Sequence, residues 1–79
     1  MDIKVLGSGC ANCITLEKRV NQALTSANTT ADVSKVTDYG EIASWGVMST
    51  PALVIDDHVI LSGRVPSVDE LVTILERTG

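Results

Sequence analysis

The chain has 79 residues, a formal net charge of −4, 44% apolar residues and 3% aromatic residues. One small domain spanning residues 1–79 is expected; it buries only about 60% of its unfolded surface, so its core must come from Val, Ile, Leu and Ala. The acidic balance argues against nucleic acid or an anionic membrane surface as the main partner, no apolar run approaches the roughly 20 residues of a spanning helix, and the first residues lack the basic and apolar regions expected of a signal peptide, so a cytosolic protein is expected.

In chain order, Ile3-Lys4-Val5-Leu6 reads as a short apolar strand, and Gly7-Ser8-Gly9 as a turn. An amphipathic helix then runs from about Cys10 to Ala27, with the stripe Cys13, Leu16, Val20, Ala23, Leu24 and Ala27 at spacings of three and four. Its charged set Glu17, Lys18 and Arg19 reads as a solvent face. Ala31 to Val36 alternates with period two and reads as a second strand. Asp38 is placed to cap a short helix over Glu41 to Trp45, stopped by Gly46. Ala52-Leu53-Val54-Ile55 and Val59-Ile60-Leu61 read as a hairpin around the polar turn Asp56-Asp57-His58. Ser67 and Glu70 have capping-box spacing at the start of a last helix, with Val68, Leu71, Val72, Ile74 and Leu75 on its apolar face. The order is βαβαββα: a parallel βαβ unit with a right-handed crossover, followed by an antiparallel hairpin.

The chemistry resides in Cys10-Ala11-Asn12-Cys13. Cytosolic conditions disfavour a stable structural disulfide, so a close cysteine pair points to redox work or metal. At a helix N-terminus, unpaired backbone N–H groups and the macrodipole favour the thiolate, and Cys10 is expected to be partly ionised. Cys13 begins the inward stripe and is expected to be the more buried sulfur. Cys10 is therefore the expected nucleophile and Cys13 the expected resolving thiol.

A second motif extends the argument: Trp45-Gly46-Val47-Met48-Ser49-Thr50-Pro51-Ala52-Leu53 precedes the hairpin. Together with the Cys-x-x-Cys after the first strand, it resembles the thioredoxin superfamily, and the short chain resembles the small, glutaredoxin-sized thioredoxins of archaea and bacteria. The resemblance implies a four-stranded mixed α/β sheet with helices on both faces. It also implies a thiol-disulfide oxidoreductase that needs no bound cofactor, acts as a monomer on target protein disulfides and is recycled by a thioredoxin-reductase-type enzyme. By the same resemblance Pro51 is a cis-proline, the backbone of Thr50 pairs with an extended substrate, and Ala11 and Asn12 belong to the substrate-binding face. The departures from larger thioredoxins also bear on function. Lys4 stands six residues before Cys10, where those proteins carry a buried aspartate for proton transfer. Ala11-Asn12 replaces their Gly-Pro, and Ser62-Gly63-Arg64 replaces the glutaredoxin residues that hold glutathione.

Other readings stay open. A Cys-x-x-Cys also serves zinc or copper(I), but a closed zinc site needs four ligands and the chain has two cysteines and one histidine. Heavy-metal-associated domains end in a strand, whereas this chain ends in a helix. A non-catalytic peptide-binding adaptor is the third reading, and the intact dithiol argues against it. Pro51 can simply begin a strand, Trp45 is expected in the core, and His58 in a solvated turn.

Overall fold

Period-two alternation in the first strand organises both layers of the core. Ile3 and Val5 face one side of the sheet, while Lys4 and Leu6 face the other. The computed structural model describes residues 1–9 and 11–78. The elements are β1 (Asp2–Leu6), α1 (Ala11–Ser26), β2 (Asp32–Val36), α2 (Tyr39–Ser44), β3 (Ala52–Ile55), β4 (His58–Ser62) and α3 (Val68–Thr78). The sheet runs β2-β1-β3-β4, with β1 and β2 parallel and the other two pairs antiparallel. This is the expected mixed α/β architecture. Parallel β1 and β2 need a crossover, and α1 supplies it.

One layer of the core joins Ile3, Val5, Leu53, Ile55 and Leu61 of the sheet to Leu16, Val20, Ala23 and Leu24 of α1 and Leu71 and Leu75 of α3. The opposite layer is smaller: Leu6, Val36, Ala52 and Val54 meet Ile42 of α2, with Trp45 and Val47 packed against them. All four residues of β3 are buried, as befits a central strand covered on both faces.

Local chemistry sets the boundaries. Asp38 caps α2 by accepting the Glu41 N–H at 3.0 Å, so the helix begins at Tyr39, two residues before the expected start. It ends where Gly46, at φ +75°, donates its N–H to the Ala43 carbonyl at 2.9 Å. The β3–β4 turn consists of Asp56 and Asp57 alone, at φ 48° and 67°, the geometry of a two-residue hairpin turn that aspartate tolerates. His58 is therefore the first residue of β4, opposite Ile55, rather than part of the turn. A register shift lies opposite Leu53 and Val54, and Val59 and Ile60 are both exposed there, so the alternation expected of β4 is broken by a bulge.

Three charged residues also depart from expectation. Arg19 does not simply face solvent: its Nη1 donates to the Pro66 carbonyl at 3.0 Å, tying α1 to the segment before α3. Glu17 is ion-paired with Lys35 of β2 at 3.2 Å. In α3 only half of the capping box forms. Ser67 Oγ accepts the Glu70 N–H at 3.2 Å, but the Glu70 carboxylate is held by the Arg64 guanidinium through both nitrogens.

The hydrogen bonds from Arg64 hold the Glu70 carboxyl below its ordinary value of 4.5. A lowered folded-state pKa contributes stability above the unfolded value and loses it as pH falls through the folded one. Glu70→Gln should therefore melt below the wild type at neutral pH, with the gap closing as pH drops below about 4.5. Thermal unfolding of both proteins across this range, at low salt, tests the pair; a gap that stays constant into acid would exclude it.

Candidate active site

Cys13 occupies the first turn of α1 and opens the buried stripe Leu16, Val20, Ala23 and Leu24. It is 6% exposed and disulfide-bonded. The expected nucleophile Cys10 lies outside the described residues. Ala11 and Asn12, the first two residues of α1, are exposed.

The turn before α1 is shaped around the Cys13 sulfur. A Cβ on Gly7 would stand 2.2 Å from Cys13 Sγ and 3.1 Å from its Cβ, so no side chain fits between strand and sulfur. Gly7 is itself buried, and its N–H reaches the Val36 carbonyl at 2.9 Å, extending the β1–β2 pairing into the turn. On the other side of β1, the Leu6↔Ala52 pairing brings the 7–9 turn and Thr50-Pro51 to the same end of the sheet. Thr50 is exposed and Pro51 buried; the peptide bond between them is cis. The Pro51 carbonyl accepts from Gly63 N–H at 2.9 Å, which anchors the start of β3 to the residue after β4. The fold thus assembles Ala11, Asn12, Cys13, Thr50 and Pro51 at one end of the sheet, beyond the carboxyl end of β1, where open α/β sheets place their sites.

Lys4 lies on the α2 face of the sheet. Its Nζ is 2.6 Å from Asp2 Oδ2, 3.9 Å from Asp57 Oδ1 and 5.6 Å from the centroid of the Trp45 ring. The hydrogen bond to Asp2 raises its pKa above the ordinary lysine value, so it stays charged and accepts no proton from a thiol. Trp45 is half-buried, packing its ring against the smaller core layer and over this cation.

On the α1 face a cavity of about 30 Å³ adjoins Cys13, lined by Val5, Gly7 and Ile14 together with the polar residues Glu17, Lys35 and Thr37. Glu17 was expected in the solvent face of α1. Its spacing of four from Cys13 is the sequence signal that places both on one side of the helix. Around the site, Met48 is 97% and Tyr39 73% exposed, with the Tyr39 hydroxyl 3.1 Å from Ser8 Oγ, so α2 is fastened to the turn before α1.

No helix among the described residues is long and apolar enough to cross a membrane. The family model described as the thioredoxin domain matches residues 1–76. A thioredoxin of Methanocaldococcus jannaschii is 38% identical over 69 residues, covering 87% of this chain and 79% of the relative. A thioredoxin of Methanothermobacter thermautotrophicus is 35% identical over 75 residues, covering 95% of this chain and 97% of the relative. Matched by the thioredoxin-domain model over residues 1–76 and by two thioredoxins over 87% and 95% of its length, the chain belongs to the thioredoxin family.

Proposed function

We propose that this protein is a thiol-disulfide oxidoreductase that reduces disulfides in target proteins through Cys10 and Cys13, acting as one domain over residues 1–79. The observation that carries the reading is the disulfide-bonded, nearly inaccessible Cys13 on the first turn of α1, three residues after the only other cysteine in the chain. The Cys10 thiolate attacks a target disulfide and forms a mixed disulfide. Cys13 then attacks Cys10 Sγ, the second target thiolate leaves, and the chain keeps the disulfide. Two thiols have supplied two electrons, so no bound cofactor takes part. Thr50, Pro51, Ala11 and Asn12 form the surface on which an extended target segment lies, with backbone pairing at Thr50 giving affinity without sequence preference.

The oxidised protein is recycled by a flavin-dependent reductase of the thioredoxin-reductase type. Glutathione is a poor substitute, because Arg64 stands where glutaredoxins hold the tripeptide, and its guanidinium is already engaged by Glu70.

Turnover of a protein disulfide such as that of insulin tests the reading. The reduced protein should accelerate insulin reduction by dithiothreitol, and Cys10→Ser and Cys13→Ser should each abolish the acceleration. Thioredoxin reductase with NADPH should re-reduce the wild type far faster than glutathione does. A wild type no faster than dithiothreitol alone, or one that purifies with stoichiometric metal on the two thiols, overturns the proposal.

A further inference from the structure

Lys4 carries a firmly held positive charge on the far side of the sheet, so the proton that Cys13 must lose before it attacks needs another destination. The cavity beside Cys13 contains one. Glu17 is four residues further along α1 and lines the same cavity. Its side chain is 27% exposed, and Oε2 lies 3.2 Å from Lys35 Nζ on β2. Lys35 is on the α1 face of the sheet because it pairs with Val5, which points into that layer. The strand and the helix therefore converge on the cavity with one cation and one carboxylate.

We propose that Glu17 is the proton acceptor for the resolving thiol of Cys13, acting through water in this cavity and held there by Lys35. The inference rests on the thiol-disulfide reading above. The cavity volume is about 30 Å³, and one water needs roughly 10–15 Å³, so there is room for a relay. One intervening water is within the reach of a general base. In the step, the Cys13 S–H bond breaks, water hands the proton on to the Glu17 carboxylate, and the sulfur attacks Cys10 Sγ of the mixed disulfide. The bond between Cys10 and the target sulfur breaks, and the target thiolate leaves with that electron pair and later takes a proton from solvent.

The charges around the sulfur are compatible with this role. An isolated carboxylate beside Cys13 would oppose the thiolate, but the Lys35 ammonium at 3.2 Å offsets it. Among the described residues, Glu17 and Lys35 are the charged side chains lining the cavity, with Thr37 adding a polar group. From β1 only Val5 contributes, with Gly7 from the turn that follows, because Lys4 points to the opposite face. The nearby Asp38 carboxylate is engaged in capping α2, and the Tyr39 hydroxyl is at Ser8.

The resolving step can be timed alone. Reduced protein mixed with an aromatic disulfide such as 5,5′-dithiobis(2-nitrobenzoate) releases one chromophoric thiolate when Cys10 attacks and a second when Cys13 resolves. In Glu17→Gln the second release should slow about 100-fold near neutral pH, the lower end of general-base contributions. The deficit should shrink as pH rises and the thiol ionises unaided, and Glu17→Asp should recover part of the rate. A purely structural role for Glu17 would instead shift the melting temperature without moving the pH profile of the second release. An unchanged or faster second release in Glu17→Gln, beside a normal two-step wild type, overturns the proposal alone. A wild type that shows no second release overturns the underlying thiol-disulfide reading.

Discussion

Gly7→Ala is expected to destabilise the protein by about 1–3 kcal/mol, the usual range for forcing a group into a filled core. The new Cβ would sit 2.2 Å from Cys13 Sγ and 3.1 Å from Cys13 Cβ, and neither partner has an easy retreat. Cys13 is fixed on the first turn of a helix whose next buried residue, Leu16, is fully buried. Gly7 is fixed by its N–H bond to the Val36 carbonyl. For a domain of this size each kcal/mol lowers the melting temperature by roughly 4–8 °C, so the loss is easily seen. The cause can be isolated with a double-mutant cycle. If the clash is with the sulfur, the cost of Gly7→Ala should fall substantially in a Cys13→Ala background, and the two changes should be strongly non-additive. Additive costs in chemical unfolding would place the damage elsewhere in the turn. The same variant should impair disulfide exchange even where it remains folded, because the displaced sulfur no longer meets its partner in line.

Features decided within a few residues were legible in the sequence. The stripe from Cys13 to Leu24 predicted the buried face of α1, because a 3.6-residue period leaves little freedom in which side faces the sheet. Asp38 and Glu41 predicted the α2 cap, because an N-cap is closed by atoms three residues apart. Features that depend on distant partners were not legible. Arg19 reads as solvent-facing until Pro66, 47 positions away, presents its carbonyl. Glu70 has capping-box spacing, but a guanidinium six residues earlier competes for the same carboxylate and binds it through two nitrogens. Sequence alone puts His58 in the turn because a polar run does not reveal which of its residues take positive φ; two aspartates suffice, and the third residue starts the strand.

The candidate site divides in the same way. The cysteine spacing and Thr50-Pro51 were visible as motifs, and the pairing of Leu6 with Ala52 explains why two segments so far apart in the chain serve one end of the sheet. Gly7 was visible only as a turn residue. Its tighter constraint, the sulfur directly beneath it, appears once α1 is docked. Glu17 and Lys35 were invisible as a pair because their meeting depends on the α1 crossover laying the helix over β2.

Cys13→Ser should accumulate covalent complexes with target proteins, while Cys10→Ser should form almost none. The asymmetry follows from access. A cysteine that is 6% exposed at the head of a buried stripe is poorly approached in line by a disulfide embedded in another folded protein, and disulfide exchange depends on such access. On the proposed reading Cys13 is therefore expected not to open the reaction but to close it, since its target is within its own chain. Removing the closing thiol leaves the mixed disulfide with no internal route to release. Removing the opening thiol leaves a protein that encounters its targets without bonding to them. Non-reducing electrophoresis of each variant after incubation with a disulfide-bonded substrate, followed by alkylation, reads the two outcomes directly. Alkylation of the reduced wild type near neutral pH should likewise modify Cys10 first. Equal labelling of the two thiols, or trapping by Cys10→Ser in place of Cys13→Ser, would reverse the assignment of attacking and resolving cysteine, and a buried Cys13 could not then be the form that meets the target.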